Sequence, residues 1–253
     1  MPTFKTMARF AAQGCLIKPL LVDFLTSQEA FRMTIRTAKP QQRSPDGWFH
    51  PSAHPGLTLD QLYAYLVTPP PPPPDDDDFD YISRMSVLFG TLYGEVIRQA
   101  LVQLKLMVPV REGTCPACGL PQPRQCREHG ARNDATRSTG HLDGILRFGP
   151  PGHGGDGYTS DEIWGFEGKT IKVFQLLDVP DMDPAYFRER WPHYWWQVQE
   201  YMRLTGLGHY IVLFTGLGNP WELREFHVMA DPQAAWEIEY KYTTALTRAG
   251  LAA

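Results

Sequence analysis

Two short stretches, "GHLDGILRFG" at residues 140–149 and "WGFEGKT" at residues 164–170, place charged side chains inside apolar, strand-like sequence. A buried strand gains nothing from a charge unless that charge is paired, hydrogen-bonded or bound to metal. Alternate side chains of a strand share a face, so Glu167 and Lys169 point the same way, with the carbonyl of Gly168 between them. If the two strands are antiparallel neighbours, Asp143 lies beside Glu167.

This set of groups suits metal-dependent hydrolysis. Two carboxylates and a carbonyl are hard oxygen ligands of the kind that magnesium or manganese takes. A neighbouring lysine can orient or deprotonate a water, or stabilise a developing negative charge, which together with a metal suits phosphodiester cleavage. On these residues alone, however, an edge-strand charge pair is the simpler explanation of Glu167 and Lys169.

The composition is that of an ordinary soluble protein. The chain has 253 residues, 43% of them hydrophobic, and a net charge of −4, which neither indicates nor excludes nucleic acid because local basic patches decide such binding. No apolar run approaches the roughly 20 residues needed to span a bilayer, so we expect no membrane partner. The N-terminal segment is interrupted by Lys18, Pro19 and Asp23 and makes a poor signal peptide. We therefore expect a cytoplasmic protein.

The chain divides into three predicted regions. Residues 1–67 form an N-terminal helical region, in which Thr58 caps a helix over 57–67. Residues 68–80, "TPPPPPPDDDDFD", form an exposed linker because the prolines favour a stiff spacer and the aspartates repel one another. Residues 81–253 form the core, in the order helix, strand, strand, helix, strand, strand, helix, with strands at about 139–148 and 161–171 and one further strand unplaced. This order predicts an α/β (α+β) fold.

The helix after the second strand contains "YWWQVQEYM" at residues 194–202, in which Gln197 and Tyr201 share a face. This helix, following Asp143 and the Glu-x-Lys pattern, resembles the third motif of the RecB-like branch of the PD-(D/E)XK nuclease superfamily. It is similar to phage-type exonucleases related to lambda exonuclease and to CRISPR-associated RecB-like nucleases. The helix "LFGTLYGEVIRQAL" at residues 88–101 resembles the first motif of the family, and the resemblance covers about 81–229.

The resemblance implies a central mixed sheet flanked by helices, one or two divalent ions, and hydrolysis of DNA ends. Position by position, it implies catalytic roles for Asp143, Glu167, Lys169, Gln197 and Tyr201. It implies magnesium or manganese ligation by Glu95, Asp143, Glu167 and the carbonyl of Gly168. In this comparison Gln197 and Tyr201 would orient the site or contact DNA. His141, two residues before Asp143, is either a neighbour of that site or an ordinary strand histidine.

The stretch "CPACGLPQPRQCREHG" at residues 115–130 predicts a structural zinc site in an insertion at about 113–131. Two close pairs supply four ligands of the tetrahedral type, Cys115, Cys118, Cys126 and His129, although another residue in place of His129 stays open. An iron–sulfur cluster that uses Cys15 is the alternative. The CRISPR-associated relatives usually carry three cluster cysteines after the Gln/Tyr helix, and this chain has no cysteine after Cys126.

These expectations combine into a metal-dependent DNA exonuclease, phage-encoded and acting in recombination or replication. Its expected partners are DNA and a phage single-strand annealing or binding protein, and a homo-oligomer stays open. One alternative is an endonuclease of the same chemistry. The other is a non-catalytic nucleic-acid-binding or structural protein that keeps a nuclease-like fold, since a fold does not guarantee a function.

Overall fold

The computed structural model describes residues 15–27, 30, 47–68, 81–148 and 163–252. Residues 69–80 of the predicted linker, the glycine-rich segment at 149–162 and the first 14 residues lie outside the described residues. Among the described helices, none is long and apolar enough to cross a bilayer.

The described residues form six α-helices and eight strands. The helices are α1 (Lys18–Leu25), α2 (Leu59–Val67), α3 (Tyr81–Gln103), α4 (Pro184–Arg190), α5 (Pro192–Thr205) and α6 (Pro232–Arg248). The strands are β1 (Gly113–Thr114), β2 (Pro121–Gln122), β3 (His129–Asn133), β4 (Ser138–Leu142), β5 (Gly144–Arg147), β6 (Ile163–Lys172), β7 (His209–Leu217) and β8 (Asn219–Met229). The predicted mixture of helices and strands is confirmed.

The core is a four-stranded mixed sheet in the order β5-β6-β7-β8, in which β6 and β7 are parallel and the outer pairs are antiparallel. Helices pack on both faces of this sheet, as the side chains of β7 show. Its Tyr210, Val212 and Phe214 pack against α4 and α5, whereas Ile211 and Leu213 pack in a second cluster with α1 and α3. The continuous apolar run "YIVLF" is therefore buried on both sides, as expected for a central strand.

The predicted first strand is in fact two strands that meet at Asp143. Strand β4 ends at Leu142 and pairs with β3 in a separate hairpin, whereas β5 begins at Gly144 and pairs with β6. The side chain of Asp143 accepts a hydrogen bond from the backbone N–H of Gly168 at 2.9 Å. Beyond the pair Gly144–Phe166, the Asp143 carboxylate thus takes the N–H of Gly168 in place of a backbone hydrogen bond between the strands. The chain passes at Asp143 from the β3–β4 hairpin to the four-stranded sheet. The unplaced strand of the sequence prediction is β3.

The predicted helix between β6 and β7 is also two helices. Trp191 lies between α4 and α5 with φ −131° and ψ 61°, outside the helical region, because Pro192 follows and disfavours a helical residue before it. Helix α5 ends at Gly206, which adopts the left-handed conformation (φ 73°) that favours glycine. The predicted cap at Thr58 of α2 is present, and Asp231 caps α6 by accepting hydrogen bonds from the N–H groups of Gln233 and Ala234.

The N-terminal helices pack on the core. Helix α2 packs against α6, and α1 packs against α3 and β8. The carboxylate of Glu225 on β8 accepts hydrogen bonds from the backbone N–H groups of Leu16, Ile17 and Lys18, at 2.8, 3.2 and 2.7 Å. This buried acid satisfies the N–H groups at the start of α1, which otherwise lack partners, and so ties α1 to the sheet.

Candidate active site

A cleft of about 550 Å³ lies between α3 and the outer edge of β6. The register of β5 with β6 ends at the pair Gly144–Phe166, and beyond it the edge of β6 borders the cleft. The charged side chains that line the cleft come from α3, from β6 and from two connecting residues next to β3 and β5, and they are Glu95, Arg98, Glu128, Asp143 and Lys169. The divergence of two strands therefore opens a polar notch at the edge of an apolar sheet.

Asp143 stands at the mouth of this notch. Its Oδ2 atom is held by the Gly168 N–H, which fixes the carboxylate against β6. Burial raises the pKa of Asp143, while the charge of Lys169 and the Gly168 hydrogen bond oppose the rise.

Glu167 is almost fully buried, and only one of its two carboxylate oxygens has a hydrogen-bond partner among the described residues. Its Oε1 accepts a hydrogen bond from Nε2 of Gln197 at 2.8 Å and lies 2.6 Å from Nζ of Lys169. Its Oε2 is buried and has no hydrogen-bond partner among the described residues. Burial and then the charge of Asp143 raise the pKa of Glu167 to about 8. A buried oxygen in this state calls for a proton or a cation.

Lys169 is the cation of the cluster. Burial lowers its pKa, but the carboxylates of Glu167 and Asp143 more than offset this effect, so the net pKa lies above the usual value. Its Nζ also lies 5.0 Å from the ring centroid of Tyr194 on α5. The side chain is therefore a positioned ammonium at neutral pH.

Helix α5 supports the cluster from behind. Besides the bond from Gln197 to Glu167, the hydroxyl of Tyr201 donates to the backbone carbonyl of His141 at 2.6 Å. Gln197 and Tyr201 are each only 4% exposed and are absent from the lining of the cleft. Both side chains are buried behind Glu167 and His141, and their roles stay predictions.

Glu95 reaches the cleft but already has partners. Nε and Nη2 of Arg98 lie 2.8 and 2.6 Å from its two oxygens, and Nε2 of Gln99 lies 2.8 Å from one of them. Burial raises the pKa of Glu95, but these hydrogen bonds outweigh burial and hold it below the usual value. Metal ligation by Glu95 would therefore compete with an existing ion pair, and it stays a prediction.

Glu128 is a cleft residue that the sequence reasoning missed. Burial and the charge of Asp143 raise the pKa of Glu128 to about 7. The register of the β3–β4 hairpin reveals this residue. The last pair of the hairpin is His129–Leu142, and one residue beyond it Glu128 lies opposite Asp143. That register was not readable from the sequence, where β3 was not recognised as a strand.

A second cluster forms a candidate metal centre. One ligand atom from each of Cys115, Cys118, Cys126 and His141 lies within 4.8 Å of the others, a set that could hold a metal ion. Burial lowers the pKa of His141, which favours the neutral imidazole that ligates metals.

The predicted fourth ligand, His129, is therefore wrong. Its Nε2 lies 3.1 Å from the carbonyl of Val108, outside the cluster. His141 takes the place because it sits opposite Gly130 in the hairpin. Gly130 leaves the space that Cys115 needs, since a Cβ there would lie 2.4 Å from its Sγ.

The alternative fourth ligand, Cys15, lies elsewhere. It is not a member of the cluster, and it is buried near Glu225 and Asp181. Burial and these two charges raise the pKa of the Cys15 thiol to about 12.

Fold and site together define a mixed α/β protein with a carboxylate and lysine cluster at the edge of its central sheet. No family model and no curated protein matches the chain. Among solved structures it is similar to the alkaline exonuclease LHK-Exo from Laribacter hongkongensis, with 13% identity, a TM-score of 0.47, and coverage of 81% of this chain and 89% of that one. The LHK-Exo complex with dAMP gives 14% identity, a TM-score of 0.46 and the same coverage. The structure of SSO0001 gives 13% identity and a TM-score of 0.39 over 93% of this chain and 88% of that one.

Proposed function

We propose that this protein is a divalent-metal-dependent deoxyribonuclease of the PD-(D/E)XK type that acts as an exonuclease. The observation that supports this most is the convergence of Asp143, Glu167 and Lys169. Asp143 and Lys169 line the cleft, and Glu167 lies buried beside them with one oxygen that has no hydrogen-bond partner among the described residues. An edge-strand charge pair, the simpler explanation from sequence, does not account for that oxygen or for the carboxylate of Asp143 beside it.

The donor set fits magnesium or manganese. Oε2 of Glu167 is free of hydrogen bonds to the described residues, and the carboxylate of Asp143 uses Oδ2 alone for its bond to Gly168. The N–H and C=O groups of one residue in an extended strand point to the same edge, so the Gly168 carbonyl faces the Asp143 side. When bound, the ion would polarise the phosphate and lower the pKa of a water.

The residues of the chain have separate tasks in this proposal. Lys169, held as an ammonium by Glu167, stabilises the negative charge that develops on the phosphate and orients the attacking water. Gln197 fixes the rotamer of Glu167 through its amide. Tyr201 fixes the end of β4 through the carbonyl of His141, two residues before Asp143. Gln197 and Tyr201 are thus positioning residues rather than groups that touch DNA.

We further propose that the Cys115, Cys118, Cys126 and His141 cluster holds a structural zinc ion. The apolar cluster of the insertion consists of little more than its own cysteines, Ala117 and Leu120. Strands β1 and β2 have only two residues each. A segment with so small a core depends on a metal for its stability.

The wider setting follows from the sequence resemblance. We propose a nuclease core over 81–253 with the zinc-binding insertion at about 113–131, preceded by the N-terminal region and linker. The enzyme would be phage-encoded, act in recombination or replication in the host cytoplasm, and work with a single-strand annealing or binding protein.

The test is digestion of end-labelled linear DNA and closed circular DNA with magnesium or manganese. The variant Lys169→Ala is compared with wild type and with Lys172→Ala, which removes an exposed lysine from the same strand. We expect metal-dependent loss of linear DNA only, a fall of at least about 100-fold for Lys169→Ala, and wild-type activity for Lys172→Ala. Cutting of circles as well would indicate an endonuclease. Tight DNA binding without any cutting would support the non-catalytic alternative.

A further inference from the structure

We propose that Glu128, delivered by the zinc-binding insertion, supplies the third carboxylate of the catalytic metal site, and that the Cys/His centre positions it. This inference rests on the proposed nuclease function and names a ligand that the family resemblance did not include. The resemblance assigned that place to Glu95 on helix α3.

The β3–β4 hairpin connects the two sites. Within it, Gly130 faces His141, and the register extended beyond His129–Leu142 sets Glu128 opposite Asp143. Glu128 and Gly130 are two residues apart on one side of the hairpin, and Asp143 and His141 are two residues apart on the other. The pair at 130 and 141 lies at the cysteine cluster, and the pair at 128 and 143 lies at the cleft. One short hairpin therefore holds both sites at a fixed separation.

Glu128 is available for a metal in a way that Glu95 is not. Both oxygens of Glu95 are occupied by Arg98, and Gln99 adds a further bond. In the described part of the chain, the carboxylate of Glu128 makes no hydrogen bond or ion pair, although it lines the same cleft as Asp143. Two carboxyl groups that face each other are stabilised by a proton or by a cation, and here the charge of Arg98 favours the ionised form of Glu128.

An independent observation indicates that a cation belongs there. The side chain of Glu167 is only 5% exposed, yet its Oε2 has no hydrogen-bond partner among the described residues. The single ammonium of Lys169 is paired with the other oxygen of that carboxylate. The other cation that lines the cleft, Arg98, is paired with Glu95. When the three remaining carboxylates are ionised, they carry more negative charge than Lys169 compensates, and a divalent cation would supply the difference.

The insertion is built to hold Glu128 in place. Cys126, two residues before Glu128, is fully buried in the cysteine cluster. The backbone carbonyl of Glu128 accepts a hydrogen bond from Nε2 of Gln122 at 2.8 Å. A metal that closes the cluster would therefore fix the backbone on both sides of the carboxylate, since His129 begins β3.

The test measures manganese affinity by isothermal titration calorimetry in the full chain, with the zinc content of each sample quantified. The variants are Glu128→Gln, Glu95→Gln and Asp143→Asn, and the control is Glu112→Gln, an exposed acid just before β1. We expect Glu128→Gln and Asp143→Asn each to weaken manganese binding by about tenfold or more while zinc is retained. We expect a far smaller effect for Glu95→Gln and none for Glu112→Gln. Glu128→Asp, which keeps the charge, should restore part of the affinity.

The outcomes separate this inference from the proposed function. If Asp143→Asn weakens manganese binding and Glu128→Gln does not, the inference fails and the metal site stands. If neither variant changes the affinity, the metal site itself is wrong and the inference falls with it. For the positioning role, Cys118→Ser, at a half-buried ligand, should lower both zinc content and manganese affinity. Loss of zinc with unchanged manganese affinity, in a chain whose circular dichroism is that of wild type, would overturn that part.

Discussion

Glu167→Gln should stabilise the metal-free protein at alkaline pH, because Glu167 is buried at an electrostatic cost. Its pKa in the folded protein is about 8, against an ordinary value of 4.5, owing to burial and to Asp143. The folded state therefore keeps a proton that the unfolded chain has released, so stability falls as pH rises from about 4.5 and the loss is complete above about 8. Glutamine carries no charge and avoids that loss.

The magnitude follows from the two pKa values. At about 1.4 kcal/mol per pKa unit, the difference between about 8 and 4.5 corresponds to roughly 5 kcal/mol, which is a ceiling. Asp143 can take up the proton instead, and glutamine forfeits the ion pair with Lys169. We therefore expect Glu167→Gln to raise the free energy of unfolding by about 1–2 kcal/mol at pH 8 and by less than about 1 kcal/mol at pH 5.

The assay is urea unfolding in the presence of EDTA at the two pH values. The matched control is Glu200→Gln on α5, because Glu200 is equally buried but both its oxygens are bound by Arg203, at 2.7 and 3.0 Å. Removal of a paired buried charge destabilises, so this variant should lose stability at both pH values. If Glu167→Gln lost stability at pH 8 as Glu200→Gln does, the reasoning would be refuted. Added magnesium should stabilise wild type more than Glu167→Gln.

Three further predictions concern the insertion and the N-terminal helix. His141→Ala should remove the bound metal of the cysteine cluster while His129→Ala retains it, as metal analysis of the purified proteins would show; equal metal content in both would contradict the assignment. Gly130→Ala should lower stability by about 1–3 kcal/mol and reduce metal content, because its Cβ would overlap Sγ of Cys115; an unchanged melting temperature would count against it. Glu225→Gln should weaken the anchoring of α1 by about 2 kcal/mol, seen as faster proteolysis near residue 16; wild-type protection would show that the carboxylate is dispensable.

The sequence predicted local features well because each depends on few residues. Alternation along β6 placed Glu167 and Lys169 on one face, and the structure joins their side chains. The Thr58 cap was also predicted from the sequence, since a helix cap is decided within one turn. The spacing of the cysteines was enough to predict that Cys115, Cys118 and Cys126 meet.

Errors arose where a residue's role depends on a partner distant in sequence. The apolar run around Asp143 reads as one strand, and it divides only because the N–H of Gly168, 25 residues away, takes the carboxylate. His129 has the right spacing for a metal ligand, but the register of β3 with β4 turns it to Val108 and brings in His141. Sequence spacing cannot reveal a register, because a shift of one residue exchanges the two faces of a strand.

The sequence by itself determined which side chains carry the chemistry, because residue type and short-range periodicity set what a strand or helix presents on each face. The tertiary structure alone decided how these side chains are paired. It tied Glu95 to Arg98, left an oxygen of Glu167 bare, and placed Glu128 beside Asp143. Such pairings depend on how strands and helices pack over long separations, and the energies of buried charges depend on those distances and on burial rather than on the order of residues in the chain.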